Sequence, residues 1–483
     1  MSFHFSFESA SGEQRSLAPL RIAILGDFGA PTASAEDRSA GPLPVDCDNF
    51  DKVFEQIGVT LDMPPCKEGC PELKLQFRTL EDFHPDRLLP RLDPLAHLTD
   101  LRAKLLHPAS SQAAAKEKQE VLKIGTAPGE APSAAATESV EEMLARLLEK
   151  PVSEPHQASS PAQLAHRLIQ QIVGSNVPGL HPQQSQLATL VDAELSACLR
   201  AILHHPSFQA LEAVWRGLDF LVRNITEEVK LFVINTRQDQ LATMLSAEDL
   251  AKSLICRQLE KIRPAVVLGL YTFGPPDNAV LAGMARLAKA CHAAFVAGAS
   301  PHLVGCSSFG AQPDPDDWTK GSPAELESFG EVRRMPEAAH LGLAMPRFLL
   351  RQPYGKGSDT IEAFPFEEMS TLPAHESYLW GNPALLFGHL LADAFAAHGS
   401  EMELHGGGGE VRGLPIHKFT RDGETHVKPC AEAWLSERAA AAILTHGIMP
   451  VLSIRGRDAV QLLTLRALSS PPVPLAVRLE FEE

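Results

Sequence analysis

Four consecutive glycines, Gly406 to Gly409, are the first place in this chain where phosphate chemistry can be sought. A phosphate cradle needs Gly-Lys-Ser/Thr opening a helix, or GxGxxG between a strand and a helix. Glu410-Val411 follow instead, then Gly413 and a strand, so the run reads as a flexible hairpin or loop. His204-His205, with His181 and Glu212, pose a metal question. Adjacent histidines on one helix point about 100° apart and cannot both face one ion. They read as a helix end before Pro206, where a helix C-terminus favours a protonated imidazole. Cys66 and Cys70, in CKEGC, lack a second pair or nearby histidines, so they read as reduced thiols. Arg347, Arg351, Lys356, Glu362, Glu367 and Glu368 form a charged belt around an apolar stretch. Paired carboxylates suit acid–base work, but Glu367-Glu368 within EAFPFEE read as a solvated or salt-bridged rim. No Ser or Cys stands in a GxSxG context. The expectation is a chain with no catalytic, cofactor-binding or metal-binding residues, and not an enzyme.

The elements that would position these residues fall in two blocks. In the first, Phe3, Phe5 and Phe7 alternate with polar residues as in a half-buried strand. Leu20 to Leu25 is a buried strand ending at Gly26-Asp27, and Asp48 to Asp51 can cap a helix reaching Ile57. Leu73, Leu75 and Phe77 mark another strand. From Asp86, leucines recur at helical spacing through Leu105 despite Pro90 and Pro94. This block, residues 1–107, reads as a small α+β unit. Residues 108–163, rich in Ala, Ser, Pro, Glu and Lys, read as a flexible linker. Within it, at 139–150, Val140, Met143, Leu144, Leu147 and Leu148 line one face of an amphipathic helix. Three turns are marginal alone, so that helix either docks on its own protein or serves as bait for a partner.

The second block, 164–470, opens with helices over Gln163 to Val173, Gln184 to His205 and Phe208 to Val222. Lys230 to Asn235, Ala265 to Tyr271 and Ala294 to Gly298 read as strands, with a helix over Asn278 to His292 before the last, a βαβ pattern. A helix is expected over Leu379 to His398, and short strands around Leu414 to Phe419 and Pro450 to Ile454. Trp215, Phe220 and Trp380 read as core. At the C-terminus, 471–483, Leu475, Val477, Leu479 and Phe481 alternate as in a strand with one apolar face.

With 483 residues, 44% hydrophobic and 21% charged, the chain reads as a globular protein of two or three domains. A net charge of −17 argues against nucleic acid as the main partner. No apolar run approaches the ~18 residues that span a bilayer, and the N-terminus lacks the form of a secretory signal. A cytoplasmic location and no membrane insertion are expected.

Several long strings carry a resemblance. RIAILGDFG, PVDCDNFDKVFEQI and LEDFHPDRLLPRLDPLAHLTDLRAKL resemble the small subunit (TssB/VipA) of the type VI secretion contractile sheath. ILHHPSFQALEAVWRGLDFLV, ASPHLVGCSSF, LGLAMPRFLLRQPYG, FPFEE, YLWGNPALLFG and EVRGLPIHKF resemble the large subunit (TssC/VipB). The resemblance implies an α/β fold related to phage tail sheaths: a small α+β domain, a linker and a larger mixed α/β domain. It implies a structural subunit that assembles with neighbouring copies or a separate sheath pair and drives out an inner tube on contraction. The implied partners are other sheath subunits, the inner tube protein, the baseplate and a ClpV-type unfoldase. Helix 139–150 resembles the large-subunit helix that the unfoldase grips, with Leu144, Leu147 and Leu148 as anchors. Few residues follow Val460, so the large-subunit part resembles shortened variants. Phe3 to Phe7 and Leu475 to Phe481 remain as strands for linking neighbours. The alternatives are a non-polymerising paralogue acting as cap or baseplate accessory, and a nucleotide-dependent enzyme using the glycine loop.

Overall fold

The computed structural model describes residues 19–30, 41–64, 72–106, 182–246, 250–319, 322–369, 373–402 and 408–478. Phe3, Phe5 and Phe7, the pair Cys66 and Cys70, the linker with helix 139–150, the helix read at Gln163 to Val173, and Leu479 and Phe481 lie outside them.

The first block supplies β1 (Leu20–Gly26), β2 (Leu43–Val45), α1 (Phe50–Ile57), β3 (Thr60–Met63), β4 (Leu73–Gln76), α2 (Pro85–Leu88) and α3 (Asp93–Leu106). The leucines at helical spacing from Asp86 are divided between α2 and α3 by a short 3-10 turn at Leu89–Arg91. Pro90 has no N–H to donate, and its ring crowds the preceding turn. The second block continues with α4 (Pro182–Leu203), α5 (Pro206–Arg223), β5 (Val229–Asn235), α6 (Gln238–Leu245), α7 (Leu254–Ile262), β6 (Val266–Phe273), α8 (Asn278–Ala290), β7 (Ala294–Ala299), α9 (Pro323–Arg334), β8 (Leu341–Met345) and β9 (Phe348–Leu349). Then come β10 (Trp380–Gly381), α10 (Ala384–His398), β11 (Glu410–Arg412), β12 (His417–Arg421), β13 (Glu424–Lys428), α11 (Glu437–Thr445), β14 (Met449–Ser453) and β15 (Ala459–Leu462).

The helix expected from Leu379 begins only at Ala384, because Pro383 disfavours helical geometry at Asn382. The strand expected at Leu414 to Phe419 starts at His417 and is the first arm of a hairpin turning at Asp422-Gly423. At the C-terminus, the described part of the expected strand, Leu475 to Arg478, joins no sheet. Pro471, Pro472 and Pro474 lack the donors that a ladder needs, and one isolated bridge, Arg466 with Pro474, is formed.

Nine strands make one sheet in the order β11-β15-β14-β8-β7-β6-β1-β5-β2. Its interior is parallel: β1 pairs with β5 from Leu20↔Val229 to Gly26↔Asn235, and with β6 from Ile22↔Val266 to Leu25↔Gly269. The strand nearest the N-terminus of the described chain is therefore interior, and both its neighbours come from the second block. A strand enclosed on both sides and both faces reads as a near-continuous apolar run, broken in β1 only by Arg21 near its start. Leu20, Ile22 and Ile24 face one core, with α5 and α10, while Ala23 and Leu25 face the other, with α6, α7 and α8. The division drawn at residues 107 and 164 in the sequence is not a division of the sheet.

Candidate functional site

The two blocks meet at a junction whose geometry starts from one tryptophan. Trp215, on α5, is fully buried. Phe28, Phe50 and Phe54 of the first block surround it at centroid distances of 5.3, 5.8 and 3.8 Å. Its indole Nε1 donates to the Phe28 carbonyl oxygen at 3.2 Å, so the ring's polar edge is satisfied inside the core. Phe77 stacks on Phe83 at 4.2 Å, and Phe208 of α5 meets Phe83 edge-on at 5.6 Å. Helical spacing puts Phe208, Leu211, Trp215 and Leu218 on one stripe of α5, and that stripe is what the first block covers.

Around this apolar centre runs a polar seam. The Asp86 carboxylate accepts from the Glu362 amide at 2.9 Å and from the Ala363 amide at 3.2 Å. Arg102 pairs with Asp192 and donates to the Ala363 carbonyl oxygen at 3.1 Å. Arg21 donates to the Ile262 carbonyl oxygen at 3.0 Å. Each contact joins the first block to the second.

Behind the seam lie two buried ionic clusters. Glu212, fully buried, accepts from Arg216 Nε at 2.6 Å and from Arg351 Nε at 2.9 Å. Arg351 reaches Glu368 with two bonds, of 2.7 and 3.1 Å, and Glu368 also accepts the Tyr354 amide at 2.7 Å. Two carboxylates thus meet two guanidiniums, and the Arg351 guanidinium lies 4.2 Å from the centre of the Tyr354 ring. Burial alone would raise the Glu368 carboxyl, but Arg351, His204 and the Tyr354 amide outweigh it and hold it at about 2. The charged belt is therefore not a uniform rim: Glu367 is exposed, whereas Glu368 is 1% exposed. In the second cluster Glu432, also buried, binds Arg347 Nη2 at 2.6 Å and His375 Nε2 at 3.2 Å. Lys428 Nζ donates to His375 Nδ1 at 2.8 Å and to the Glu432 carbonyl oxygen at 2.9 Å. With Nδ1 accepting, the imidazole proton sits on Nε2, facing Glu432. Against burial, His375 and Arg347 keep the Glu432 carboxyl at about 2, while burial pulls the Lys428 ammonium down to about 8.

A general acid works best with a pKa near the operating pH. Carboxyls held at about 2 are ionised at neutral pH and have no proton to donate, and their oxygens tie distant segments of the chain together through Arg351 and Arg347. His205 caps α5 through Nδ1, accepting from the Ser207 amide at 3.3 Å, and does not face His204's neighbour Glu368. Among the described residues no group of three or more His, Cys, Asp or Glu is arranged to hold a metal ion. Gly408 and Gly409 have a steric reason: a Cβ at either would overlap the Leu462 carbonyl oxygen or the Leu390 side chain. Leu475 is 4% exposed within its own core, and Val477 is half-buried. Sequence reasoning missed Asp86, Arg102, Asp192 and Glu432, whose partners are distant in the chain. It marked Glu212 only as a metal candidate.

The family described as EvpB/VC_A0108, tail sheath N-terminal domain (VipB), matches residues 185–468. That described as type VI secretion system, VipA, VC_A0107 or Hcp2, matches residues 3–123. The type VI secretion system sheath protein TssC1 of Pseudomonas aeruginosa is 33% identical over 307 residues, covering 60% of this chain and 61% of that protein. The chain thus spans about three fifths of the length of the curated relative it matches. Its mixed sheet flanked by helices is an α/β fold, consistent with the sheath domain. With more than half its length in the VipB match and a VipA match ahead of it, the chain belongs to the type VI tail sheath family and joins both sheath segments in one polypeptide.

Proposed function

We propose that this chain is a structural, non-enzymatic subunit of a type VI contractile sheath, which assembles with other sheath subunits around an inner tube on a baseplate. The observation that carries the reading is β1, from the VipA-type segment, lying between two strands of the VipB-type segment. A sheath unit of two parts must keep them one-to-one, and joining them covalently fixes that ratio and raises their effective concentration. The clamps at Glu368 and Glu432 suit a body that transmits force without coming apart. Among the described residues no helix is long and apolar enough to cross a membrane, and we take the cytoplasm as the place of action. Electron microscopy of the purified full chain tests the proposal. Tubes or rings support polymerisation; persistent monomers would favour the cap or accessory reading.

Two finer assignments belong to the same proposal. The stripe Val140, Met143, Leu144, Leu147 and Leu148 is the grip for a ClpV-type unfoldase, and Phe3, Phe5, Phe7, Leu479 and Phe481 link neighbouring copies, whereas Leu475 and Val477, expected to share that role, pack against this chain's own core. Replacing Leu144 and Leu147 with Asp should abolish binding to the cognate unfoldase while leaving the body's unfolding transition unchanged. Undiminished binding would remove the grip from the proposal.

A further inference from the structure

Two thiols far apart in sequence meet on the side of the sheet facing away from Trp215. Cys256, in the first turn of α7, is 2% exposed, and its sulfur lies 3.9 Å from that of Cys291. Cys291 caps the C-terminal end of α8 and is partly exposed. A disulfide bond spans about 2.05 Å, so the sulfurs must close by roughly half their present separation. Cys291 can supply most of that movement. It is the C-cap residue, with no helical turn following it, and His292 after it turns the chain with φ 51°. No comparable pairing is offered by Cys306 or Cys430, whose sulfurs contact the carbonyl oxygens of Gln312 and Leu414.

We propose that Cys256 and Cys291 form a redox-modification site that closes to an intramolecular disulfide, with a low-molecular-weight disulfide as oxidant. The partly exposed Cys291 reacts first. Its thiolate attacks one sulfur of the small disulfide, the S–S bond breaks, and the other half leaves as a thiolate that takes up the proton Cys291 released. The Cys256 thiolate then attacks the Cys291 sulfur of the mixed disulfide and expels the second small thiol, which takes the Cys256 proton. The protein dithiol loses two electrons, and the small disulfide gains them. The product staples α7 to the end of α8 and closes a loop that contains β6, an interior strand. Burial raises both thiols, and Cys291, although its surface is the more open of the two, is raised to about 12; accessibility rather than acidity makes it the first to react. Attack requires the thiolate, so the reaction is slow at neutral pH and quickens as pH rises.

The test is incubation of the folded full chain with glutathione disulfide at neutral and mildly alkaline pH, followed by non-reducing peptide mapping. The expected result is a Cys256–Cys291 cross-linked peptide that forms faster at higher pH and disappears with dithiothreitol. Oxidised protein should melt about 5 °C higher than reduced protein. C256S should stop at a glutathione adduct on Cys291, and C291S should leave Cys256 unmodified. Recovery of Cys256 and Cys291 as free thiols, or as separate glutathione adducts, in wild-type protein would overturn the assignment. The wild-type map decides the matter even if a variant fails to fold.

Discussion

Glu368 takes two bonds from one guanidinium and one from a backbone amide while nearly sealed from water. Removing its charge strands Arg351 with a single carboxylate, Glu212, which it shares with Arg216. Breaking a buried pair from one side costs about 3–5 kcal/mol, so E368Q should lower stability by that amount in urea unfolding. A loss below about 1 kcal/mol would show that the cluster is not the clamp described. The pH dependence follows from the same residues. Glu368 and Glu432 have folded pKa values of about 2 against an ordinary 4.5. Their contribution is complete above pH 4.5 and is lost as pH falls from about 4.5 towards 2. Each is worth on the order of 3 kcal/mol, and E432Q should flatten that acid limb. Lys428 acts in the opposite sense. Its folded value of about 8 lies below 10.5, so folding penalises its charged form. Stability should gain a rising component between about pH 8 and 10.5, and K428M should remove it. The sequence showed half of this. In FPFEE the buried residues are Phe364, Phe366 and Glu368, a period-two alternation that could be read in advance. It did not show that Arg351 and Tyr354 wait for the carboxylate on the inner face.

At the scale of elements, the end of α1 was read from the sequence, whereas α9 and the hairpin turn went unread although their signals are local. The α1 helix expected to reach Ile57 ends there, with Gly58 in the left-handed region at φ 67°. Helix α9 starts at a capping box in which the Ser322 hydroxyl accepts from the Glu325 amide and Glu325 binds back to Ser322. Hairpin β12–β13 turns at Asp422-Gly423, with φ of 52° and 82°, the Asp-Gly signal of a two-residue hairpin turn. Its second arm went unread because His426 and Lys428 give no apolar alternation; their role is to stack on Phe419 and to reach His375. Of the glycine run read as a loop, Gly408 and Gly409 are described and lie outside helix and strand, for a steric reason the sequence did not show. G408A should weaken the β11–β15 edge by about 1–3 kcal/mol, measured as faster amide exchange at Val460 and Leu462. Unchanged exchange would contradict the close backbone approach at that edge.

For the whole molecule, pattern could not reveal which neighbours β1 has. An apolar run such as Leu20 to Leu25 is the same string whether it lies inside its own small sheet or within another. Its partners Val229 to Asn235 and Val266 to Gly269 lie more than 200 residues away. The parallel pairing and the aromatic cluster around Trp215 make the first block a part of the second block's core. W215A should therefore cost about 3–5 kcal/mol and loosen both blocks together, seen as one unfolding transition shifted as a unit by fluorescence and circular dichroism. Two separated transitions would mean that the blocks fold independently.

The most direct measurement is native mass spectrometry of the full chain cut at a protease site inserted between residues 108 and 163. If β1 completes the sheet of the second block, the fragments remain a one-to-one complex after cleavage and separate only under denaturing conditions. Release of a folded first fragment from an intact second fragment would contradict the account.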